Sequence, residues 1–295
     1  MRRLILVLAT IGVAVLLASG AALAITGGWA DDAKEQAGEP PPTDVIKYPN
    51  VGALVWPEGF GDGTYAYCTG TLISPTVFLT AAHCDPWTGD AVTFDAKYDP
   101  DDPSDPDDPS STLYSICRGS DCNDPTQPGY PFDGRFRADP NGNDIAVVVF
   151  NEPISGITPA RLPSLHRFDR VAKDQKFTAV GYGEQAGSAT VYDTRNYAVS
   201  TFKSVDPTYL RLSQNLNQGS GGTCYGDSGG PNFFGAAVSG DETDVIASIT
   251  ITGDPWCKAT NVTLRLDDEA AHTFLSRPFL QNEGITLPPQ KPPVP

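Results

Sequence analysis

Short apolar or alternating runs, each of strand length, follow one another along the chain from residue 45 to residue 266. β-branched residues are frequent in these runs, and Gly, Pro, Asn and Asp separate them. This pattern is typical of β-strands joined by tight turns. Clear examples are VGALVW, TLIS, VFLTAA, IAVVVF, FTAVG and DVIASITI. The pattern therefore predicts an all-β protein built as a barrel or a sandwich.

Helical periodicity appears only near the C-terminus, from about residue 267 to residue 280. One helix face there would carry the apolar residues Ala271, Phe274, Leu275 and Leu280. The residues that follow, 283–295, are rich in proline and predict an extended, flexible tail. The sequence thus predicts one terminal helix and then an unpacked end.

The strand-rich region divides into two halves of similar size, at about 45–152 and 171–266. Between them, residues 153–170 are rich in Pro, Ser and charged side chains. Such composition is typical of a connecting segment. We therefore predict two β units within one folded domain that spans residues 25–282.

The first 24 residues have the three parts of a secretory signal peptide. Arg2 and Arg3 precede an apolar run over 4–18, and small residues then end in Ala-Leu-Ala at Ala24. An uncleaved membrane anchor is the alternative, because residues 4–25 could just span a bilayer. The A-x-A site and the lack of further apolar spans favour cleavage. We expect a secreted chain that begins at Ile25 and has no membrane attachment.

The charge balance excludes some classes of partner. The chain has 36 acidic and 20 basic residues, a net charge of −16, and loss of Arg2 and Arg3 with the signal takes it to −18. A chain this acidic does not bind nucleic acid or an anionic membrane by charge alone.

The acidic segment 99–109 offers oxygen ligands but lacks EF-hand spacing. We expect a monomer with no metal or cofactor, and a structural calcium ion is the alternative.

Six cysteines, an even number in a chain with an export signal, predict a disulfide framework. Their spacings contain no paired C-x-x-C, and the chain has only three histidines, so a zinc site is poorly supported. The residues alone leave the connectivity open. The cysteines are Cys68, Cys84, Cys117, Cys122, Cys224 and Cys257.

Three stretches carry residues suited to nucleophilic catalysis. GDSGGP (226–231) places Ser228 among glycines that allow a sharp turn with backbone N–H groups aimed into a cleft. LTAAHC (79–84) places His83 after an apolar strand, and NDIAVVVF (143–150) places Asp144 at the start of another. A serine hydroxyl needs a neighbouring base and donors for the developing oxyanion.

Each stretch by itself also fits an ordinary structural interpretation. Ser228 could lie on a surface loop, His83 could be a structural or exposed histidine, and Asp144 could be a strand-start aspartate that faces water. The remaining histidines, His166 and His272, fall in the polar connection and in the terminal helix, and we interpret them as structural or simply exposed.

Taken together and in this order, TAAHC, NDIA and GDSGGP resemble the signature stretches of the chymotrypsin/trypsin family of serine proteases. The likeness covers about residues 25–280. The style of YPNVGAL, GTLISPTVFLTAAHC and GGTCYGDSGGP is similar to that of secreted bacterial trypsin-like proteases. The resemblance implies two packed antiparallel six-stranded β-barrels with a C-terminal α-helix. The first barrel would supply His83 and Asp144, and the second Ser228.

The resemblance also implies a catalytic mechanism with polypeptide substrates and an acyl-enzyme intermediate. Ser228 would attack the scissile carbonyl, and His83 would take its proton and pass it to the leaving amine. Asp144 would hold the imidazole, and the N–H groups of Gly226 and Ser228 would form the oxyanion hole. The main alternatives are a catalytically silent binding module on the same fold and a serine esterase.

Activation and cross-links follow from the same resemblance. ITGG at Ile25 is similar to the family's activated N-terminus, whose ammonium pairs with the aspartate before the nucleophile, here Asp227. Cleavage by signal peptidase after Ala24 would then create that ammonium directly. The disulfide pairs implied are Cys68–Cys84, Cys224–Cys257 and, with them, Cys117–Cys122.

The specificity pocket departs from the family pattern. Gly222, followed by Thr223, stands six residues before the nucleophile, where a preference for Arg or Lys requires an aspartate. Asp254, near the rim, is the alternative source of charge. Without a carboxylate at the base, we predict a neutral or apolar substrate side chain.

The pocket wall departs as well. Ile251, Thr252 and Gly253 stand where the family has Ser-Trp-Gly. Ile251 thus replaces the serine that supports the triad aspartate, and Thr250 or another hydroxyl is a candidate substitute. Gly253 leaves room for a substrate strand to pair with the edge.

Overall fold

The computed structural model describes residues 29–30, 48–100, 112–184, 193–237 and 241–289. The predicted signal peptide, Ile25 and most of the acidic segment 99–109 lie outside these ranges.

The first half of the chain forms a closed β-barrel. Its strands are β2 (Val51–Val55), β3 (Ala66–Ser74), β4 (Val77–Thr80), β5 (Ala91–Thr93), β6 (Tyr114–Arg118), β7 (Gly134–Ala138) and β8 (Ala146–Phe150). They pair in the order β2-β3-β4-β8-β7-β6-β5, and every pairing is antiparallel except β6 with β7. With β6 beside β7, the described part of this barrel has seven strands, one more than the resemblance implies.

The second half forms another barrel. Its strands are β9 (Lys176–Gly181), β10 (Asn196–Val205), β11 (Tyr209–Ser213), β12 (Pro231–Phe234), β13 (Ile246–Gly253) and β14 (Thr260–Arg265). They pair in the order β10-β11-β14-β13-β12-β9, and β9 with β10 closes the barrel. A two-residue strand, β1 (Trp29–Ala30), adds to β10. The predicted all-β fold of two packed barrels is confirmed.

Apolar side chains fill each barrel and the space between the two. Leu54, Phe78 and Val148 belong to a buried cluster of the first barrel. A second cluster, formed by Phe168, Phe177, Leu210, Leu212 and Ala247, belongs to the other barrel. A third and larger cluster combines residues of both, among them Leu79 and Ile249. Burial of these side chains, worth about 1.5–3 kcal/mol each, stabilises the barrels against one another.

A buried arginine also joins the barrels. Arg195, just before β10, is fully buried, and its guanidinium donates to the backbone oxygens of Val51 and Phe94 at 2.9 Å. The carboxylate of Asp193 accepts the N–H of Tyr65 at 3.0 Å. Buried polar groups are stable only with such partners, so these bonds fix the second barrel's entry strand against the first barrel.

The C-terminal helix is two short helices, α1 (Glu269–Leu275) and α2 (Pro278–Gln281), rather than the single helix predicted. Pro278 has no N–H to continue α1 but suits the first turn of a new helix. The four residues of the predicted apolar face are all buried. Ile285 is buried too, so the packed chain reaches past residue 282, where we expected the tail to begin. Within the described ranges, no helix is long and apolar enough to cross a membrane.

Candidate active site

His83 and Asp144 meet because β4 and β8 are neighbours. Thr80 pairs with Ala146, and the chain leaves β4 through a 3₁₀ turn over Ala82–Cys84 that carries His83. Asp144 stands two residues before Ala146, at the same end of the strand pair. Nδ1 of His83 lies 2.7 Å from Oδ2 of Asp144, and the backbone N–H of His83 donates to Oδ1 at 2.9 Å.

The Asp144 carboxyl group is held in its ionised form. Burial raises its pKa. Hydrogen bonds from the His83 imidazole and from the N–H groups of His83 and Ala82, together with attraction to His83, lower the pKa by more than burial raises it. The net pKa is below the usual value of an aspartate. An ionised carboxylate only accepts, so Nδ1 of His83 carries the proton and Nε2 of the neutral ring is an acceptor.

Ser228 lies on the same cavity as His83. The cavity has a volume of about 310 Å³, and both residues line it. Across the described residues, the Ser228 hydroxyl makes no hydrogen bond with His83. In enzymes without substrate this contact is often long and tightens when substrate binds.

Thr69 of the first barrel holds the turn that carries Ser228. Its hydroxyl donates to the Gly226 carbonyl at 3.0 Å, and its N–H donates to the Ser228 carbonyl at 2.8 Å. The turn needs glycine, because Gly226 has φ of 92° and a Cβ on Gly229 would meet Thr80 and Thr69. The N–H groups of Gly226 and Ser228 have no hydrogen-bond acceptor among the described residues.

Asp227, between these two residues, is fully buried. Burial raises the pKa of its carboxyl group to about 7. The N–H groups of Cys224 and Gly183 donate to the carboxylate at 2.8 Å and lower the pKa, but burial has the larger effect. In the part of the chain that the structure describes, no basic side chain pairs with it. Side chains at Gly181 and Gly183 would collide with the carboxylate, so the pocket fits it closely.

A family model described as Trypsin matches residues 49–240, more than half of the chain. The chain belongs to the trypsin family. Among solved structures, human heparin-binding protein is similar, with a TM-score of 0.57 and 16% sequence identity over 90% of this chain and 100% of that one. A mutant of human heparin-binding protein has a TM-score of 0.58 and 17% identity with the same coverage. At this identity the likeness shows the fold.

Four of the five predicted pocket residues of this trypsin-family chain line the cavity, namely Thr223, Ile251, Thr252 and Gly253. Gly222 does not line it and is buried against Gln214, where a Cβ would meet the Gln214 side chain. Gln214 is itself fully buried, and its Oε1 accepts the N–H of Thr223 at 3.0 Å. Sequence reasoning missed Gln214 because no local signal marks it.

Asp254 also lines the cavity, but its carboxylate organises its own loop. It accepts the N–H groups of Lys258, Ala259 and Thr260 at 3.1, 2.7 and 2.8 Å. Burial raises its pKa, but these bonds and one from Gln214 lower it below the usual value. The cavity therefore holds one ionised but well-satisfied carboxylate.

Thr250 does not support Asp144, in contrast to our expectation. Its hydroxyl accepts hydrogen bonds from Asn232 at 3.1 Å and Asn261 at 3.3 Å, and Ile251 packs against the apolar clusters. The donors to Asp144 come from His83 and the N–H of Ala82. The backbone of the 3₁₀ turn and the His83 imidazole thus supply the hydrogen bonds to Asp144.

The structure forms three disulfides, Cys68–Cys84, Cys117–Cys122 and Cys224–Cys257, the same pairs that the resemblance implies. Cys84 directly follows His83, and Cys224 precedes Asp227 by three residues. The donor atoms of Cys68, His83 and Cys84 lie within 4.8 Å of one another. Both sulfurs belong to the disulfide, however, so they do not provide the thiolates that a metal site requires.

Proposed function

We propose that this trypsin-family protein is a secreted serine endopeptidase that hydrolyses peptide bonds through Ser228, His83 and Asp144. The single observation that carries the proposal is the pairing of His83 with an ionised Asp144 on the cavity that Ser228 lines. A hydroxyl, an imidazole and a carboxylate in this order are the groups that serine acyl transfer uses.

Each group has a role that its surroundings support. Nε2 of His83 is the acceptor for the Ser228 proton, because the Asp144 carboxylate fixes the other ring nitrogen as donor. Ser228 attacks the carbonyl carbon and forms the acyl-enzyme as the protonated His83 releases its proton to the leaving amine. The unused N–H groups of Gly226 and Ser228 receive the oxyanion, and each donor is worth roughly 3 kcal/mol.

We further propose that a free N-terminus at Ile25 activates the protein by pairing with Asp227. The placement of β1 supports this proposal. Trp29 pairs with Tyr197, and Tyr197 pairs with Val180, which precedes Gly181 beside Asp227. Two strand spacings are about 10 Å, and four extended residues span up to about 14 Å. Ile25 is therefore within reach of the buried carboxylate, which needs a cation to stay ionised.

The disulfides agree with a protein that works outside the cell. Three disulfides are typical of oxidising compartments. The name of the similar human protein raises the alternative of a binding module that recognises heparin. A net charge of −16 opposes that function here, because a polyanion would be repelled. We propose a monomer that needs no metal or organic cofactor.

A fluorophosphonate probe tests the proposal and separates it from its alternatives. Purified protein that begins at Ile25 should be labelled, and the Ser228→Ala variant should not. Peptide and ester libraries then follow. Cleavage of peptides establishes the endopeptidase, whereas cleavage of esters alone favours the esterase. A correctly processed protein that is not labelled would favour the binding module.

A further inference from the structure

A second cavity lies next to the 3₁₀ turn that carries His83. Its volume is about 540 Å³, and it begins at Cys84 and Asp85, the two residues that follow His83. Tyr67 also lines this cavity, and it directly precedes Cys68, which forms a disulfide with Cys84. The first cavity, with Thr223 and Ile251, contains His83 itself. The two cavities are therefore lined by consecutive residues of the chain, the first by His83 and the second by Cys84 and Asp85.

Exposed aromatic side chains surround this second cavity. Trp56 is 37% exposed, Phe60 is 47% exposed and Trp87 is 77% exposed, and all three line it. Ring centroids of Trp56 and Phe60 lie 5.2 Å apart. Two of the other four exposed large apolar residues of the described chain, Tyr225 and Trp256, lie at or beside the first cavity. Exposed apolar groups collected at one place indicate a binding surface.

Carboxylates are placed among these rings. The lining includes Glu58, Asp85 and Asp90 and contains no lysine or arginine. Glu58 accepts the indole N–H of Trp56, and Asp90 accepts the hydroxyl of Tyr67 at 2.7 Å. These bonds hold two of the rings in place. Asp85 pairs with Arg118 at 2.9 Å, and Asp90 is buried, which raises its pKa. Glu58 is therefore the exposed carboxylate of this lining that has no basic partner among the lining residues.

Aromatic faces next to carboxylates attract a cation on a long apolar stem. A guanidinium or ammonium over an indole gains cation–π attraction, and its methylene groups pack against the neighbouring rings. Glu58 adds charge complementarity at the rim. An acidic or small polar side chain would gain neither contact.

We propose that this aromatic–acidic cleft, formed by Trp56, Glu58, Phe60, Tyr67, Trp87 and Asp90, binds an arginine or lysine side chain of the substrate on the leaving-group side of the scissile bond. The inference rests on the proposed function, which assigns the acyl-side residue to the cavity with Thr223 and Ile251. His83 delivers its proton to the leaving amine, so the leaving segment passes His83 and reaches the cleft that begins at Cys84.

Acyl transfer to added amines tests leaving-side binding separately from acyl-side preference. An ester substrate acylates Ser228, and then water or an added peptide amide attacks the acyl carbon. In the amide-forming reaction the new C–N bond replaces the C–Oγ bond, and the proton of the amine passes through Nε2 of His83 to Oγ of Ser228. The ratio of amide to acid reports how well the amine is bound.

The amines are arginyl-glycinamide and glycyl-argininamide, which place arginine first or second after the new bond. Matched citrulline peptides keep the shape and remove the charge. At one of the two positions we expect the arginine peptide to be preferred by about five- to tenfold over its citrulline partner. The preference should fall to about twofold or less in Glu58→Gln and Trp87→Ala. Glu152→Gln, which loses the same charge at an exposed site elsewhere, should retain it.

Equal partition of arginine and citrulline peptides at both positions would overturn the inference, as would a full preference in both cleft variants. Failure of the proposed function gives a different result. If Ser228 does not carry out acyl transfer, no acyl-enzyme forms with or without an amine, and if the protein is an esterase, the acyl-enzyme forms but the peptide libraries are not cleaved. The two failures are therefore distinguishable.

Discussion

His83 binds both carboxylate oxygens of Asp144, one through its ring and one through its backbone. Nδ1 lies 2.7 Å from Oδ2, and the N–H of the same residue donates to Oδ1 at 2.9 Å. The backbone bond holds the carboxylate in place in any orientation of the imidazole, so the ring nitrogen always has its acceptor in position. The fold therefore fixes which ring nitrogen of His83 carries the proton.

Replacing Asp144 with asparagine should abolish most activity while preserving the fold. The amide places an NH₂ group or a carbonyl against Nδ1 and no longer fixes the ring nitrogen as donor. We expect kcat to fall by about 10⁴-fold on an ester substrate. Circular dichroism and steady-state kinetics measure the two effects. Asp174→Asn, at an exposed site, is the matched control, and a comparable loss there would contradict the assignment.

A protein that keeps Ala24 before Ile25 should lose stability as pH rises. Without a paired ammonium, the folded-state pKa of Asp227 is raised to about 7, above its unfolded value. The stability that the neutral Asp227 carboxyl group contributes is fully present below about pH 4 and is lost as the pH rises through 7. The shift corresponds to a loss of about 4 kcal/mol in the free energy of unfolding.

Denaturant unfolding between pH 4 and pH 10 checks this prediction. The form that begins at Ile25 should keep its stability through pH 7, because its ammonium pairs with the ionised carboxylate, and lose it above about pH 8 as the amine titrates. Asp227→Asn in the Ala24 form should flatten the profile. Identical profiles for the two N-termini would rule out the proposed pairing.

Loss of Cys224–Cys257 should destabilise the protein more than loss of Cys117–Cys122. The sequence separations are 33 and 5 residues, so the longer bridge restricts the unfolded chain more strongly. The chain-entropy relation gives about 3–4 kcal/mol against about 2 kcal/mol. Paired Cys→Ala variants and unfolding in urea measure the difference. The reverse order would show that native-state contacts, rather than loop length, dominate.

The packing of Gly222 against Gln214 predicts coupled substitutions. Gly222→Ala places a methyl group against the buried Gln214 side chain and should cost about 1–3 kcal/mol. In a Gln214→Ala background the same change should cost less, with a coupling of at least about 0.5 kcal/mol. A double-mutant cycle by thermal unfolding gives that coupling. Strict additivity would mean that the two side chains do not share this space.

Local patterns predicted much of the fold and of the candidate site. Alternating apolar runs gave strands, and the stretches around His83, Asp144 and Ser228 marked three residues that the structure places at or beside one cavity. Each of these signals lies within about ten consecutive residues, so it is visible in one sequence.

The features that the sequence did not reveal depend on contacts between distant residues. Thr69 holds the turn of Ser228 from a different barrel, and Gln214 fills the space beside Gly222 from β11's end. Arg195 is buried although its residue type is usually exposed. The division of the terminal helix at Pro278 was readable in principle from that proline alone, but the apolar periodicity outweighed it.

Trapping the acyl-enzyme from a peptide substrate tests the central claim most directly. A peptide that the Ile25-start protein cleaves is mixed with it, quenched in acid within milliseconds and analysed by mass spectrometry. We predict that the N-terminal fragment of the peptide is attached to Ser228 and that the C-terminal fragment is released with a new free amine. Cleavage with no covalent adduct, or with an adduct on another residue, would contradict the account.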